Sequence, residues 1–279
     1  MSTLLQDVLF EIIPLKSADA AIAALPPSSH VSVTCSPVKG IAATLELSER
    51  VLAAGHVPVP HIAARMVDSV AQVTRLAAWC RNHGVRELFV VGGDQEVPLG
   101  PFRDGLDLIK ALLEVEHGLE TIGFTAYPDG HALIDRAVLH EVTHAKEALV
   151  LSAGLRPFVS TQMCFDVALL RKWLEGERAA GLKSPVHLGV PGAIDRTRLL
   201  TMGARLGIGA SLRYLKKNRS TMGKLLAPGG YDPMSLVRPL EGDAGRLGIT
   251  ALHLFTFNEV EATEAWREQE LSTPLAAAR

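Results

Sequence analysis

The feature that most constrains the fold is an alternation of short apolar stretches with helical sequence, repeated eight times along the chain. The first stretch, Val8–Pro14, reads as a strand that its proline ends. Glu87–Asp94 is almost wholly apolar before its glycines, a pattern typical of a parallel strand covered on both faces. The other predicted strands are His30–Cys35, Val57–Ala63, Thr121–Pro128, Pro157–Phe165, Val186–Gly192 and Ile249–Phe257.

Helical sequence follows each predicted strand. The helices predicted from start and stop signals are Ser17–Leu25, Leu45–Ala54, Ser69–His83, Asp104–His117 and Arg136–Ser152. The segment 197–240 is longer, and we interpret it as a helical insertion before the last strand, with a flexible Ala227–Pro233. Eight such units without an internal linker predict one α/β domain over residues 1–279, a (β/α)8 TIM barrel.

Composition narrows the class of partner. The chain has 28 basic and 30 acidic residues and a net charge of -2, so it lacks the positive surface that nucleic acid or an anionic membrane attracts. We therefore expect small-molecule or protein partners, and a homo-oligomer is possible. Cys35, Cys80 and Cys164 form no CxxC pair and read as buried thiols. The sequence shows neither a leader peptide nor a long apolar run, which predicts a cytoplasmic protein.

Glu11 stands alone among apolar residues in the first predicted strand. A carboxylate there lies either on the wet face of an edge strand or at a functional site, because burying its charge is costly. In a barrel of this class, polar side chains at the carboxyl ends of the strands form the active face. Seven of the eight strands end in such residues: Glu11, Thr34, His61, Asp94, Tyr127, Gln162 and Asn258. This set favours the functional interpretation of Glu11.

The motif His140-Glu-Val-Thr-His144 matches the zincin pattern, in which two histidines one helical turn apart bind zinc and the glutamate acts as base. A predicted core stripe of Val138, Val142, Ala145 and Leu149 places His140 nearly opposite the core. No third ligand follows at a family spacing, and the outer helix of a barrel is a poor place for a catalytic metal. We therefore expect no metal and keep a zinc hydrolase as a minor alternative.

Three other chemistries find little support. Gly92-Gly-Asp94 is too short for a dinucleotide fingerprint. Lys39 and Lys146 lie outside apolar strands, where a Schiff-base lysine would be expected. No serine stands in a GxSxG elbow, which argues against a serine hydrolase.

The short motifs at the strand ends also resemble, in their order, those of one known family. They are Phe10-Glu-Ile-Ile-Pro14, Val31-Ser-Val-Thr34, Pro60-His61, Gly93-Asp94, Ala126-Tyr-Pro with His131, Ser152-Ala-Gly154, Thr161-Gln162 and Phe255-Thr-Phe-Asn258. Together they resemble the methylenetetrahydrofolate reductase family of flavin-containing barrels over nearly the whole chain.

This resemblance implies interconversion of 5,10-methylenetetrahydrofolate and 5-methyltetrahydrofolate, with FAD as cofactor and NAD(P)H as electron donor. Glu11 is implied as general acid, and Asp94, Gln162 and Asn258 as substrate-binding residues. The implied flavin-contacting positions are Thr34, His61, Gly93, Asp94, Tyr127 and His131, followed by Glu141, His144 and Lys146 on the next helix.

The chain departs from the family pattern at several of these motifs. Gly92 replaces a basic residue, Cys35 an aromatic one, and Glu259 an arginine. Loss of a guanidinium removes charge-assisted hydrogen bonds, which predicts weakened FAD binding. Two alternatives follow: a flavin-independent NADH-dependent reductase on the same barrel, or a non-catalytic barrel that binds folate or a partner.

Overall fold

The computed structural model describes residues 3–193 and 232–273. In it, eight parallel strands close into a barrel in sequence order. The strands are β1 Val8–Ile12, β2 His30–Val33, β3 Val57–Ala63, β4 Glu87–Val91, β5 Thr121–Ala126, β6 Arg156–Thr161, β7 Val186–Pro191 and β8 Ile249–Phe255. Closure comes from β1 and β8, where Leu9 pairs with His253 and Glu11 with Phe255. The predicted (β/α)8 fold is confirmed.

Helices cover the outside of this barrel. They are α1 Ala18–Ala23, α2 Gly40–Ala53, α3 Val70–His83, α4 Gly105–Leu113, α5 Arg136–Ser152, α6 Val167–Ala179, α7 Met234–Glu241, α8 Ala244–Leu247 and α9 Val260–Ser272. Side-chain caps support the predicted starts of α3 and α5. The Ser69 side chain accepts a hydrogen bond from the Gln72 amide, and the Asp135 side chain accepts one from the Ala137 amide.

Three predicted helix bounds are wrong. α1 ends at Ala23 rather than Leu25. α2 begins at Gly40 rather than Leu45, because Ile41 and Thr44 are buried in its first turn. α4 ends at Leu113 rather than His117, since the His117 ring accepts a hydrogen bond from the Leu119 amide and stabilises a turn there. Several strands also end before their predicted bounds, and the residues beyond them form the loops at the barrel mouth.

Most of the predicted insertion, including residues 227–231 of its flexible stretch, lies outside the described residues. The described part after that gap holds α7 and α8, which lead directly into β8.

Alternation along the strands separates two apolar regions. Side chains such as Phe10, Ile12 and Val31 pack beneath the helices in the large outer core. A smaller cluster of Leu9, Val59, Phe89 and Phe158 fills the barrel interior. Packing there is tight, because a Cβ atom at Gly123 would overlap the ring of Phe158.

The three thiols are free. Cys80 and Cys164 are buried as predicted, whereas Cys35 is half-buried because it lies at the mouth of the barrel. Among the helices in the described ranges, none combines the length and apolarity needed to cross a membrane.

Candidate active site

A cavity of about 180 Å³ opens at the carboxyl ends of the strands. Seven residues predicted for the site line it: Glu11, Thr34, His61, Gly93, Asp94, Tyr127 and Gln162. Phe89, Ser160, His253 and Phe255 complete much of its inner wall. The strand ends therefore bring together side chains that lie far apart in the sequence.

Glu11 points into the barrel above the apolar interior and is 8% exposed. Its Oε2 atom lies 3.3 Å from Nε2 of His253 and 3.8 Å from Nε2 of His61. Burial raises the pKa of Glu11 from 4.5 to about 7, and the nearby His61 opposes part of that rise. Glu11 is therefore a carboxyl group that can hold a proton near neutral pH.

Both histidines beside Glu11 are held in the neutral form by burial, which lowers the pKa of His61 to about 4 and that of His253 to about 3. The Ser160 hydroxyl lies 2.7 Å from Nδ1 of His253, and the Ser32 hydroxyl contacts Nε2 of His61. Nε2 of His253 has no hydrogen-bond partner in the described part of the chain. If Nδ1 donates to Ser160, Nε2 presents a lone pair to a protonated Glu11.

Neither His253 nor Ser160 was among the site residues predicted from the sequence. The sequence did hold one signal for His253. This residue stands two positions before Phe255 on β8, and alternate residues of a strand share a face, so both side chains should point into the barrel.

Asp94 and Tyr127 form the opposite polar wall of the cavity. Burial and the Asp94 charge raise the pKa of Tyr127, so its phenol stays protonated and can donate. His131 lies outside the cavity lining on an exposed loop, with its ring 5.2 Å from the Tyr127 ring. His131 is thus at the rim rather than within the pocket.

Gly93 and Gln162 present small or amide groups to the same cavity. Gly93 has φ +93°, and a Cβ atom added there would lie 3.0 Å from that of Ala63. Gln162 accepts from the Met163 amide at 2.9 Å, which leaves its NH2 group to face a ligand.

Asn258 does not line the cavity. Its side chain accepts from the amide of Ile13 at 2.7 Å and donates to the Ile13 carbonyl and the Ser17 hydroxyl at 3.0 Å each. It also adopts a left-handed φ of +66°. These contacts clamp the loop after β8 to the loop after β1.

The three predicted positions on α5 also lie outside this cavity. Glu141 is exposed, and His144 contacts Glu177 on α6. Lys146 is half-buried with Nζ 5.7 Å from the Phe124 ring centroid, and burial lowers its pKa to about 8. Their assignment to the cofactor stays a prediction.

The predicted core stripe of α5 is wrong. Val138 is 46% exposed, whereas Thr143, Glu147 and Val150 are buried. Glu147 tolerates burial because it accepts hydrogen bonds from the amides of Lys183 and Ser184 and from the Ser184 hydroxyl. Because polar residues occupy the buried face of α5, the pattern of hydrophobic residues did not predict which face is buried.

Two groups in the described ranges combine three potential metal ligands whose donor atoms lie within 4.8 Å of one another. One is Glu11 with His61 and His253 in the cavity. The other is His140, His144 and Glu177 on the outer helices. Sequence spacing missed Glu177, because this carboxylate comes from the next helix.

A larger cavity of about 480 Å³ lies at the amino end of the barrel, beside His30, Glu87 and Arg267. Catalysis in barrels of this class occurs at the carboxyl end, so the smaller cavity is the candidate active site.

The protein is thus a (β/α)8 barrel with a buried carboxyl group in the cavity at its carboxyl end. A scan against known protein families finds no match. Among solved structures, it resembles an uncharacterised protein from Clostridium thermocellum that binds two copies of 5-methyltetrahydrofolate, at 15% identity over 95% of this chain and 94% of that one, with a TM-score of 0.63.

The chain also resembles a family 18 chitinase from Crocus vernus, at 10% identity over 95% of this chain and 100% of that one, with a TM-score of 0.52. At these identities the likenesses show a shared fold.

Proposed function

We propose that this protein is an oxidoreductase that interconverts 5,10-methylenetetrahydrofolate and 5-methyltetrahydrofolate, with FAD as cofactor and NAD(P)H as electron donor. The observation that carries the proposal is the buried Glu11, whose pKa of about 7 suits a general acid at neutral pH. The strand-end motifs and the 5-methyltetrahydrofolate bound by the Clostridium thermocellum barrel support folate as the ligand.

Glu11 would deliver its proton to the bridging nitrogen outside the pterin ring, whose bond to the methylene carbon then breaks and leaves that carbon on the pterin nitrogen. Protonation there opens the bridge to an electrophilic iminium, which then accepts a hydride. Because His61 and His253 are neutral, neither provides a cation that would lower the pKa of the Glu11 carboxyl and favour its ionised form. After transfer, the Glu11 carboxylate would lie within reach of both rings, which can stabilise it.

The polar wall of the cavity suits a flavin ring edge and a pterin. Asp94 accepts hydrogen bonds, Gln162 donates from its NH2 group, and the backbone at Gly93 permits close approach of a flat ring. FAD, when bound, would carry the hydride that NAD(P)H supplies. At about 180 Å³ the cavity is smaller than the ~300–1,000 Å³ typical of ligand sites, so we propose that it encloses only the reacting ends.

A flavin-independent NADH-dependent reductase is the second candidate. Two observations favour it: Gly92 stands where the resembled family has a basic residue, and the cavity is small for a stacked flavin and pterin. Glu11 would keep its role as acid in that scheme.

The first experiment is an absorption spectrum of the protein as isolated and after addition of FAD. Under the leading proposal, flavin bands appear and are bleached anaerobically by NADH or NADPH. An apoprotein that binds no FAD yet oxidises NADH with methylenetetrahydrofolate would establish the second candidate. Folate binding without turnover of either nucleotide would instead indicate a non-catalytic barrel.

The second experiment is Glu11→Gln, which keeps the shape of the side chain but removes its proton. We expect folate turnover to fall by ~10²–10⁴, as for loss of a general acid, while NAD(P)H-driven reduction of FAD continues. Glu87→Gln is the matched control, because Glu87 lies at the amino end of the barrel. Equal loss of both half-reactions in Glu11→Gln would argue against the acid role.

A further inference from the structure

The outer helices α5 and α6 bring two histidines onto one carboxylate. His140 and His144 stand one turn apart on α5, with ring centroids 4.5 Å apart. Nδ1 of His140 and Nε2 of His144 each lie 2.9 Å from Oε2 of Glu177 on α6. The cluster is separate from the cavity at the barrel mouth and has no part in the reaction proposed above.

We propose that His140, His144 and Glu177 bind a divalent transition-metal ion of the zinc class. Two imidazole nitrogens and one carboxylate oxygen form a ligand set that zinc uses in proteins. Zn–N bonds of 2.0–2.1 Å imply ligand atoms about 3.3 Å apart in a tetrahedron. The 2.9 Å separations found here need only a small outward shift to admit the ion.

Burial of the carboxylate supports the same assignment. Glu177 is 6% exposed, while His140 and His144 are more accessible. A carboxylate in that position requires pairing or metal coordination. A dication entering from the exposed His140 side would meet three converging ligands.

The fourth coordination position would face a pocket of about 140 Å³. Arg136, Thr143 and Trp173 are among its lining residues. Three protein ligands with one open position are typical of zinc sites that bind water or an exogenous ligand. The Arg136 guanidinium at the edge of this pocket favours an anion as that ligand.

The pocket shares one wall with the candidate active site, because Tyr127 lines both cavities. Arg136 also donates to the carbonyls of Pro128 and Asp129 in the loop that follows Tyr127. The metal site therefore lies directly behind the mouth of the barrel. It gives His144 a role as metal ligand rather than as flavin contact.

The test uses tag-free protein stripped with chelator and dialysed against ZnCl2, with bound zinc measured by mass spectrometry. We expect one zinc per chain that Glu177→Gln and His140→Phe each remove. Glu175→Gln is the matched control on α6, since Glu175 is exposed and pairs with Arg246, and it should keep the zinc. Loss of a direct ligand should weaken binding by more than the ~10–100-fold that loss of an outer partner costs.

Thermal unfolding with and without zinc distinguishes the loss of a metal ligand from misfolding of a variant. Zinc should raise the Tm of the wild-type protein and of Glu175→Gln, but not that of folded Glu177→Gln or His140→Phe. Retention of one tightly bound zinc by Glu177→Gln would show that the ion binds elsewhere and would overturn the proposal. Failure of wild-type protein to bind zinc would overturn it as well.

Discussion

At the scale of single residues, the chemistry of this protein depends on how burial sets protonation. Glu11 and its two neighbouring histidines are shifted in opposite directions by the same cause, loss of water around the charged form. The outcome is an acid that can hold its proton near neutral pH between two neutral bases. This pattern, in which neighbouring groups have pKa values pushed apart, is typical of acid and base assignments in active sites.

A pH dependence of stability follows from Glu11. Because its pKa rises from 4.5 to about 7 on folding, the folded protein binds this proton more tightly than the unfolded chain. The resulting contribution to the free energy of unfolding is up to about 3 kcal/mol. It is fully present below pH 4.5 and is lost as the pH rises through about 7.

Urea unfolding of wild-type protein and Glu11→Gln across this range measures the effect. The wild type should lose stability relative to the variant as pH rises. His61 and His253, whose pKa values are lowered, make the protein more stable as the pH rises. Both proteins contain these histidines, so their effect largely cancels in the difference between the two free energies of unfolding. Parallel curves for the two proteins would show that Glu11 has an ordinary pKa.

At the scale of elements, the packing of the barrel interior is set by contact between neighbouring strands. Gly123 on β5 pairs with Phe158 on β6, whose ring occupies the space that a Cβ atom at Gly123 would need. The Phe158 and Phe89 rings stack 5.6 Å apart across the interior. A glycine on one strand thus allows an aromatic ring on the next to fill the barrel.

Gly123→Ala should therefore destabilise the protein by ~1–3 kcal/mol, as overpacking does in a closed core. Gly176→Ala is the matched control, because a Cβ atom at that exposed position on α6 meets nothing within 4 Å. The control should gain ~0.5–1 kcal/mol from helix propensity. Denaturant titration of both variants provides the comparison, and similar changes in both would contradict the packing argument.

At the scale of the whole molecule, one stabilising hydrogen-bond network lies at the end of the barrel opposite the candidate active site. At the amino end, Arg178 donates to the carbonyls of Leu247, Leu182, Ser184 and Gly248. One side chain on α6 therefore ties together the starts of β7 and β8. The candidate active site is formed by the other ends of the strands.

Arg178→Met should cost about 3 kcal/mol, because several half-buried carbonyls lose a charged donor. Arg246→Met removes only exposed ion pairs with Glu175 and Asp243 and should leave the free energy of unfolding nearly unchanged. Under the proposed function, Arg178→Met should bind 5-methyltetrahydrofolate as tightly as the wild-type protein does at temperatures below its unfolding transition. A large loss of folate affinity in this folded variant would contradict the separation of the two ends.

Much of the fold and of the cavity could be predicted from sequence, because both depend on periodicity. Alternating apolar stretches and helices define a closed parallel barrel, and parallel strands place all their carboxyl ends on one face. That reasoning brought Glu11, His61 and Asp94 into one cavity. Helix ends were less predictable, since local contacts such as the His117 ring decide them.

Tertiary structure alone decided which groups face one another. His253 meets Glu11 because strand register and barrel closure set β8 beside β1, and Glu177 meets His140 and His144 because α6 lies next to α5. Asn258, although at a strand end, is held by main-chain atoms outside the cavity. The physical reason is that periodicity determines the face on which a side chain lies, whereas its partners depend on the packing of elements distant in sequence.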